Sequence, residues 1–320
     1  MKLFKKIMRS LAIWTSLGVG TWVFLTANVS GIERRYMEML AGRPTGILPW
    51  ELREISGLAH CRSTPEHLWA INDRGSKATI HALSLKAELK ASFRLYKDSN
   101  KDWEDLACGR CANSVGECLY IGDIGSNSES RKNIKIYMIP LPLKFEELSK
   151  GKSVFREKFS LKYPKGKHNA EALLVHPEKP IILIVTKKKS DPRHRVDPKV
   201  FTTDLSHASS AKKTIMTYSG TIPLTKYLTK RDPPASAWIT GGDFYPTGKW
   251  FLLMTYTHLY RVPWPIPDEE SDRIIIPIWG NVNRTKIESV ALHPNGKQFW
   301  IGSEISRSRE PLLLMELPLH

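Results

Sequence analysis

Cysteine is scarce in this 320-residue chain: Cys61, Cys108, Cys111 and Cys118 are the only four, and none follows residue 118. Cys108 and Cys111 form one CxxC pair. No second pair exists, and Cys61 lies too far off in sequence to complete a zinc ribbon. Histidine does not fill the gap, because His60, His176, His258 and His293 lack metal-ligand spacing and read as turn or interior residues. A zinc site is therefore not expected. Acidic residues are absent from the first 27 positions, where Lys2, Lys5, Lys6 and Arg9 carry the charge. A clean small-x-small cleavage site is missing after that segment. Apolar residues are not in short supply: at 41% they suffice for a packed core and exclude disorder as a description of the whole chain.

The cationic start MKLFKKIMR precedes an apolar stretch from Leu11 to Ala27. Residues 1–27 thus read as an export signal, either cleaved or retained as a membrane anchor, since 17 residues is near the minimum for crossing a bilayer. Basic residues before the stretch hold the N-terminus in the cytoplasm and put the remainder outside. The expected location is extracytoplasmic, periplasmic or secreted, with attachment to the inner membrane if the segment stays. Oxidation of the four cysteines to disulfides suits that compartment. Residues 28–46 read as a linker, with a short helix over 32–45, and residues 47–320 as the folded domain. The net charge of +16 favours anionic partners, a small molecule or an envelope component. Nucleic acid is not expected, because export removes it and KKKSDPRHR, starting at Lys187, reads as a solvated hairpin tip.

From Ile47 onward, short apolar runs of about five residues alternate with Gly, Pro, Asn and Asp, the signature of strands and turns. One pattern recurs five times. It opens at Ser56, Glu104, Glu171, Thr240 and Glu288, and a second apolar run closes at Asp73, Asp123, Lys187, Tyr256 and Glu304, 16 to 19 residues later. Near-constant spacing marks one supersecondary unit copied along the chain. The expected fold is all-β, a five-bladed β-propeller; a sixth unit between Lys212 and Pro234 has no matching signature. The fifth unit is one strand short, and ILPWELR (47–53) is expected to close the ring. Turns are expected at His176-Pro, Tyr245-Pro-Thr-Gly and His293-Pro-Asn-Gly.

In a propeller the first strand of each blade lines the central channel. Ser56, Glu104, Glu171, Thr240 and Glu288 should therefore converge near the axis, with Asp73, Asp123, Lys187, Tyr256 and Glu304 just outside at the same mouth. Converging carboxylates repel unless protonated or bridged by a cation. Oxygen-only donors suit a hard ion, and a five-fold ring with axial water suits calcium better than magnesium. For the cysteines, cross-strand proximity pairs Cys108 with Cys118, and touching hairpin tips pair Cys61 with Cys111; the other two connectivities stay open.

The order Ser, Glu, Glu, Thr, Glu, one per unit, resembles the calcium-activated nucleotidase (apyrase) family. Local strings agree: Asn72-Asp73-Arg74-Gly75, Trp103-Glu104-Asp-Leu-Ala with Leu119-Tyr-Ile-Gly-Asp-Ile-Gly125, and Ala170-Glu171-Ala. The resemblance implies a five-bladed propeller with one axial calcium and, often, an N-terminal anchor. Thr240 stands where that family has serine and Asp123 where it has glycine. A closer similarity, over most of residues 53–305, is to exported bacterial propellers carrying EISGLA, DWEDIA and AEAL strings, a group that implies no particular activity.

Three functions follow as expectations. The leading one is a non-catalytic binding or scaffold propeller at the cell envelope, with calcium as its cofactor. The second is calcium-dependent hydrolysis of a phosphoester or phosphoanhydride, with Arg74 and Lys187 holding phosphate oxygens, Tyr256 and Glu304 lining the substrate site, and Asp73 or Asp123 positioning water or taking its proton. The third is a sugar or lactone hydrolase.

Overall fold

Inner strands such as ISGLA and AEALLV are short, free of charge at most positions and buried along their whole length. Outer strands such as LKASFR alternate buried with exposed residues. A sheet whose first strand is covered on both faces and whose last strand is half wet is what radial stacking of twisted sheets requires. The computed structural model describes residues 43–96, 98–143, 156–188, 195–208, 211–230, 232–266, 274–277, 287–304 and 311–316, and these build an all-β propeller.

The described strands form five sheets. β1 (Arg43–Ile47) belongs to the last of them. Sheet one is β2 (Ile55–Ala59), β3 (His67–Asn72), β4 (Thr79–Ser84) and β5 (Leu89–Arg94). Sheet two is β6 (Trp103–Arg110), β7 (Glu117–Asp123), β8 (Asn133–Pro140) and β9 (Glu157–Lys162). Sheet three starts with β10 (Ala170–Val175), β11 (Ile181–Thr186) and β12 (Lys199–Asp204). Next, β13 (Lys213–Ile215) crosses back to pair parallel with β9, and β14 (Thr217–Thr221) completes sheet three against β12. The KTIMTYS run, expected as one strand, is thus split between neighbouring sheets and ties them together. Sheet four is β15 (Ile239–Phe244), β16 (Trp250–Thr255), β17 (His258–Pro263) and β18 (Ile274–Pro277). Sheet five is β19 (Ile287–Leu292), β20 (Gln298–Ser303) and β21 (Pro311–Glu316), completed by β1.

The inner strands touch in circular order, β2 to β6 to β10 to β15 to β19 and back to β2. Apolar wedges fill the gaps between sheets. One joins sheets one and two around Trp69, Trp103 and Tyr137, and another joins sheets two and three around Tyr120, Phe159 and Tyr163. Each such side chain, buried completely, contributes about 1.5–3 kcal/mol. Space at the ring is tight: a Cβ on Gly109 would lie 2.3 Å from Val175 of the next sheet. Buried aspartates add polar ties. Asp105 accepts from the Leu173 N–H of sheet three at 3.0 Å, and Asp243 from the Leu292 N–H of sheet five at 2.9 Å.

Closure comes from the N-terminal side, as expected, but from residues 43–47 rather than 47–53. β1 pairs antiparallel with β21, while Trp50–Leu52 form a 3-10 turn that plants Leu52 in the core. The chain leaves the extended conformation after Pro49, so ILPWELR does not run as one strand, while Pro44 is accommodated in β1 next to a register shift. Consequently residues 43–46, expected within a linker and helix, belong to the folded domain. The rest of segments 1–27 and 28–42 lies outside the described residues. Among the described residues no helix is long and apolar enough to cross a membrane. The expected turns at His176, Tyr245 and His293 do close hairpins, with Gly248 and Gly296 in the left-handed region.

Two disulfides are present, a state that fits an oxidising, extracytoplasmic compartment. The pairing differs from the expected one: Cys61 joins Cys108 and Cys111 joins Cys118. Cys108 does lie opposite Leu119, as the repeat spacing implies, but Cys118 lies opposite Gly109. Directly opposed residues share a face and successive residues alternate, so Cys108 and Cys118 point to opposite sides of sheet two. Cys108 faces sheet one, where Cys61 sits; Cys118 faces sheet three, with Cys111.

Candidate cation site at the ring of inner strands

Every inner hairpin carries a register shift at the same point. It falls between Ile55 and Gly57, Trp103 and Asp105, Ala170 and Ala172, Ile239 and Gly241, and Ile287 and Ser289. The extra residue is Ser56, Glu104, Glu171, Thr240 or Glu288, the five positions marked by the sequence repeat. A bulge breaks the alternation and re-aims its side chain, and this device places an oxygen-bearing group from each sheet at one end of the ring.

Four of the five, Ser56, Glu104, Glu171 and Glu288, line a cavity of about 490 Å³ together with Asp73, Arg74, Lys187, Tyr256 and Glu304. Asn127, Ala235 and Trp238 complete the lining. Thr240 occupies the equivalent bulge without lining the cavity; its hydroxyl is buried and has no hydrogen-bond partner.

Asp73, Lys187, Tyr256 and Glu304 each stand one residue beyond the last ladder pair of their hairpin. In sheet two Asp123 is itself the last paired residue, opposite Trp103, so the equivalent position is Ile124. Asp123 accordingly stays away from the cavity lining, buried and bound to Arg131 Nη1 at 2.7 Å.

Lys187 departs most from expectation. It is no solvated tip and offers no open ammonium for a phosphate. Its side chain is 1% exposed, and Nζ lies 3.2 Å from Glu171 Oε2, 4.0 Å from Glu288 Oε2 and 3.4 Å from the Tyr256 hydroxyl. Burial alone would lower its pKa, yet Glu171, Glu288, Tyr256 and Glu104 drive it well above the ordinary lysine value. Tyr256 donates to Glu288 Oε1 at 2.5 Å, and Asn169 Nδ2 donates to Glu171 Oε1 at 2.8 Å. The carboxylates of sheets three and five are therefore already supplied with donors and a positive charge.

The side toward sheets one and two differs. Asp73, Asp102 and Glu104 each present an oxygen, all within 4.8 Å of one another. Asp102 is buried, and its Oδ1 has no hydrogen-bond partner; the Arg74 Nε stands 3.8 Å away, within ion-pair range but too far for a hydrogen bond. Burial, together with the neighbouring acids, raises the pKa of Glu104 well above the usual carboxylate range and that of Asp73 to about 6. Burial raises Asp102 as well, against Arg74 and Arg131. Glu288 is pushed to about 7 by burial, against the pull of Lys187. Gly125 leaves the space beside these groups: a Cβ there would lie 2.0 Å from Glu104 Oε1 and 2.7 Å from Asp102 Oδ2.

These observations test the fit of calcium. A symmetric axial ion held by all five bulge residues does not fit, because Lys187 supplies Glu171 and Glu288 and Thr240 is outside the cavity. A hard cation beside Asp73, Asp102 and Glu104 does fit: the donors are all oxygens, one lacks a hydrogen bond, and Gly125 lets Glu104 and Asp102 approach each other over its backbone. Asp102 was missed in sequence because it stands outside the repeated position. The acidic run Asp102-Trp-Glu-Asp105 was the available signal.

No family model and no curated protein matches the chain in sequence. Solved structures that are similar include hydrazine synthase of Kuenenia stuttgartiensis, at 8% identity and TM-score 0.37, with 78% of this chain covering 61% of that one. U3-55K matches at 13% identity and TM-score 0.38, with 82% covering 68%. Sqt1 from Chaetomium thermophilum matches at 13% and 0.38, with 82% covering 60%. The chain thus spans about three-fifths to two-thirds of the length of these proteins.

Proposed function

We propose that this chain is an exported, calcium-binding, five-bladed β-propeller, each sheet one blade, with a non-catalytic binding role at the cell envelope. The observation that carries the reading is a contrast of charge. The protein is strongly basic, at +16, yet its ring cavity gathers Asp73, Glu104, Glu171, Glu288 and Glu304, with Asp102 beside the first two, against Lys187 and Arg74. Burial holds Asp73, Asp102, Glu104 and Glu288 above the usual carboxylate range, and a divalent ion would relieve them. The ion, once bound, offers charge at the mouth, and the half-exposed Arg74 guanidinium adds a second cationic group there. Together they suit the anionic oxygens of a small molecule or an envelope polymer. Thermal melting of the chelator-treated protein tests the first half. Calcium should raise the melting temperature and magnesium should do so less; no shift with either ion refutes calcium binding. Inorganic phosphate added with calcium should give a further shift, lost in Arg74→Ala.

A second reading, calcium-dependent phosphoester hydrolysis, is favoured by Asp73. Its carboxyl is raised to about 6 and it adjoins Arg74 at the mouth, a pairing of proton acceptor and anion clamp. Turnover in a phosphoester panel that needs both calcium and Asp73 would establish it. A blank panel, with calcium binding intact, leaves the binding role.

A further inference from the structure

The ring of carboxylates is divided between two kinds of cation. On one side the Lys187 ammonium lies 3.2 Å from Glu171 Oε2 and 4.0 Å from Glu288 Oε2, and 5.0 Å from the centre of the Tyr256 ring. The Lys187 backbone is held just past β11, where its N–H donates to Asn169 O at 3.0 Å, and its side chain is only 1% exposed. A divalent ion bonded to the same two carboxylates would face a fixed positive charge at close range in a buried setting, where screening is weak. On the other side Asp73, Asp102 and Glu104 have no lysine among them. Asp102 is 5% exposed, its Oδ1 has no hydrogen-bond partner and meets only the half-exposed Arg74 Nε at 3.8 Å, and Gly125 lets Glu104 and Asp102 pack together against its backbone.

We propose that the divalent cation binds off the ring axis, between Asp73, Asp102 and Glu104, and that Lys187 permanently takes the axial place. This rests on the cation-binding reading above and gives it a location. The ligand class is a hard divalent ion, calcium first, since the protein donors are carboxylate oxygens alone and the remaining positions fall to water or to oxygens of a bound anion. Two consequences separate it from a symmetric ring. Asp102, which no repeat marks, becomes a ligand. Glu288, which the repeat does mark, does not; its Oε1 accepts from Tyr256 and its Oε2 lies 4.0 Å from the buried Lys187 ammonium.

Calorimetric titration of the full chain, stripped of metal and titrated with calcium chloride, tests the location. The wild-type protein should take one ion per chain. Asp102→Asn and Asp73→Asn should each weaken binding at least tenfold, and Glu288→Gln should stay within about threefold of the wild type. Asp73 lies at the half-exposed end of the site, so its variant carries the test even if Asp102→Asn fails to fold. Unchanged affinity in the aspartate variants, or loss in Glu288→Gln, overturns the off-axis location while leaving calcium binding standing. Absence of binding heat in the wild-type protein refutes the cation-binding reading itself.

Discussion

Gly125→Ala separates the cation site from the fold in one methyl group. Its Cβ would sit 2.0 Å from Glu104 Oε1 and 2.7 Å from Asp102 Oδ2, both closer than van der Waals contact permits. The backbone need not move, because the clashing atoms are ends of side chains; the two carboxylates swing aside instead. The cost to the unliganded fold should fall at the low end for overpacking, about 1 kcal/mol. For a domain of this size that is roughly 2–4 °C of melting temperature. The cost to the site is larger, since the displaced atoms are the proposed ligands. With calcium at a hundredfold its dissociation constant, linkage stabilises the wild-type protein by about 2.7 kcal/mol. That corresponds to roughly 5–10 °C, and Gly125→Ala should lose nearly all of it. Gly75→Ala is the control: φ is +84° and a Cβ there meets nothing within 4 Å. It should lower the baseline by about 1 kcal/mol through backbone strain and keep the calcium shift. Differential scanning calorimetry with chelator and with calcium gives both numbers. A full calcium shift in Gly125→Ala refutes the placement of the ion beside Glu104 and Asp102.

Three further outcomes are expected. Cys61→Ala/Cys108→Ala opens a bridge across 47 residues and should cost about 4 kcal/mol in denaturant unfolding, whereas Cys111→Ala/Cys118→Ala, across 7, should cost about 2.5; equal losses contradict the chain-entropy argument, and non-reducing peptide mapping checks the pairing. Burial raises the Asp243 carboxyl to about 7 from 3.8, against its two backbone N–H bonds, so the native state holds a proton that the unfolded chain has lost. Its contribution is complete below pH 3.8 and is lost as pH rises through 7, by about 4 kcal/mol. Asp243→Asn should remove that slope, and parallel stability–pH curves for the two proteins would contradict it. Deleting residues 43–47 removes the partner of β21 and should lower the melting temperature and promote aggregation through the freed edge; unchanged melting would mean that closure does not depend on β1.

The strands were legible in sequence because each obeys a local rule. Apolar runs such as LWAIN and IILIVT are too short for helices and end at turn residues, so their positions follow from composition and spacing alone. The repeat also placed Cys108 opposite residue 119 correctly. What local rules do not carry is the competition for a shared edge. KTIMTYS has one continuous pattern, yet its first half completes the outer edge of sheet two and its second half that of sheet three. The closing strand shows the same limit. ILPWELR is the more apolar segment, but the chain leaves the extended conformation after Pro49, and the less apolar RPTGI pairs with β21 instead.

The site was legible in its positions and not in its chemistry, and the bulge explains both. A repeated bulge keeps one residue per unit at the ring, so Ser56, Glu104, Glu171, Thr240 and Glu288 each stand 16 to 19 residues ahead of the second marked position of their hairpin. Counting to the partner strand is reliable only when the bulge is included. The offset of 16 residues from Glu171, Thr240 and Glu288 reaches the cavity-lining position at Lys187, Tyr256 and Glu304. In sheet two the longer hairpin places that position at Ile124, and Asp123 turns to Arg131. Charge sign misled in the opposite sense. A lysine opening a basic run reads as surface, but the position one past the ladder lines the cavity in four of the five sheets, as Asp73, Lys187, Tyr256 and Glu304. Surrounded by Glu171, Glu288 and Glu104, an ammonium there is retained in spite of burial. The ring thereby acquires a buried ammonium from the chain itself, whereas on the other side Asp73 and Asp102 face the half-exposed Arg74 guanidinium.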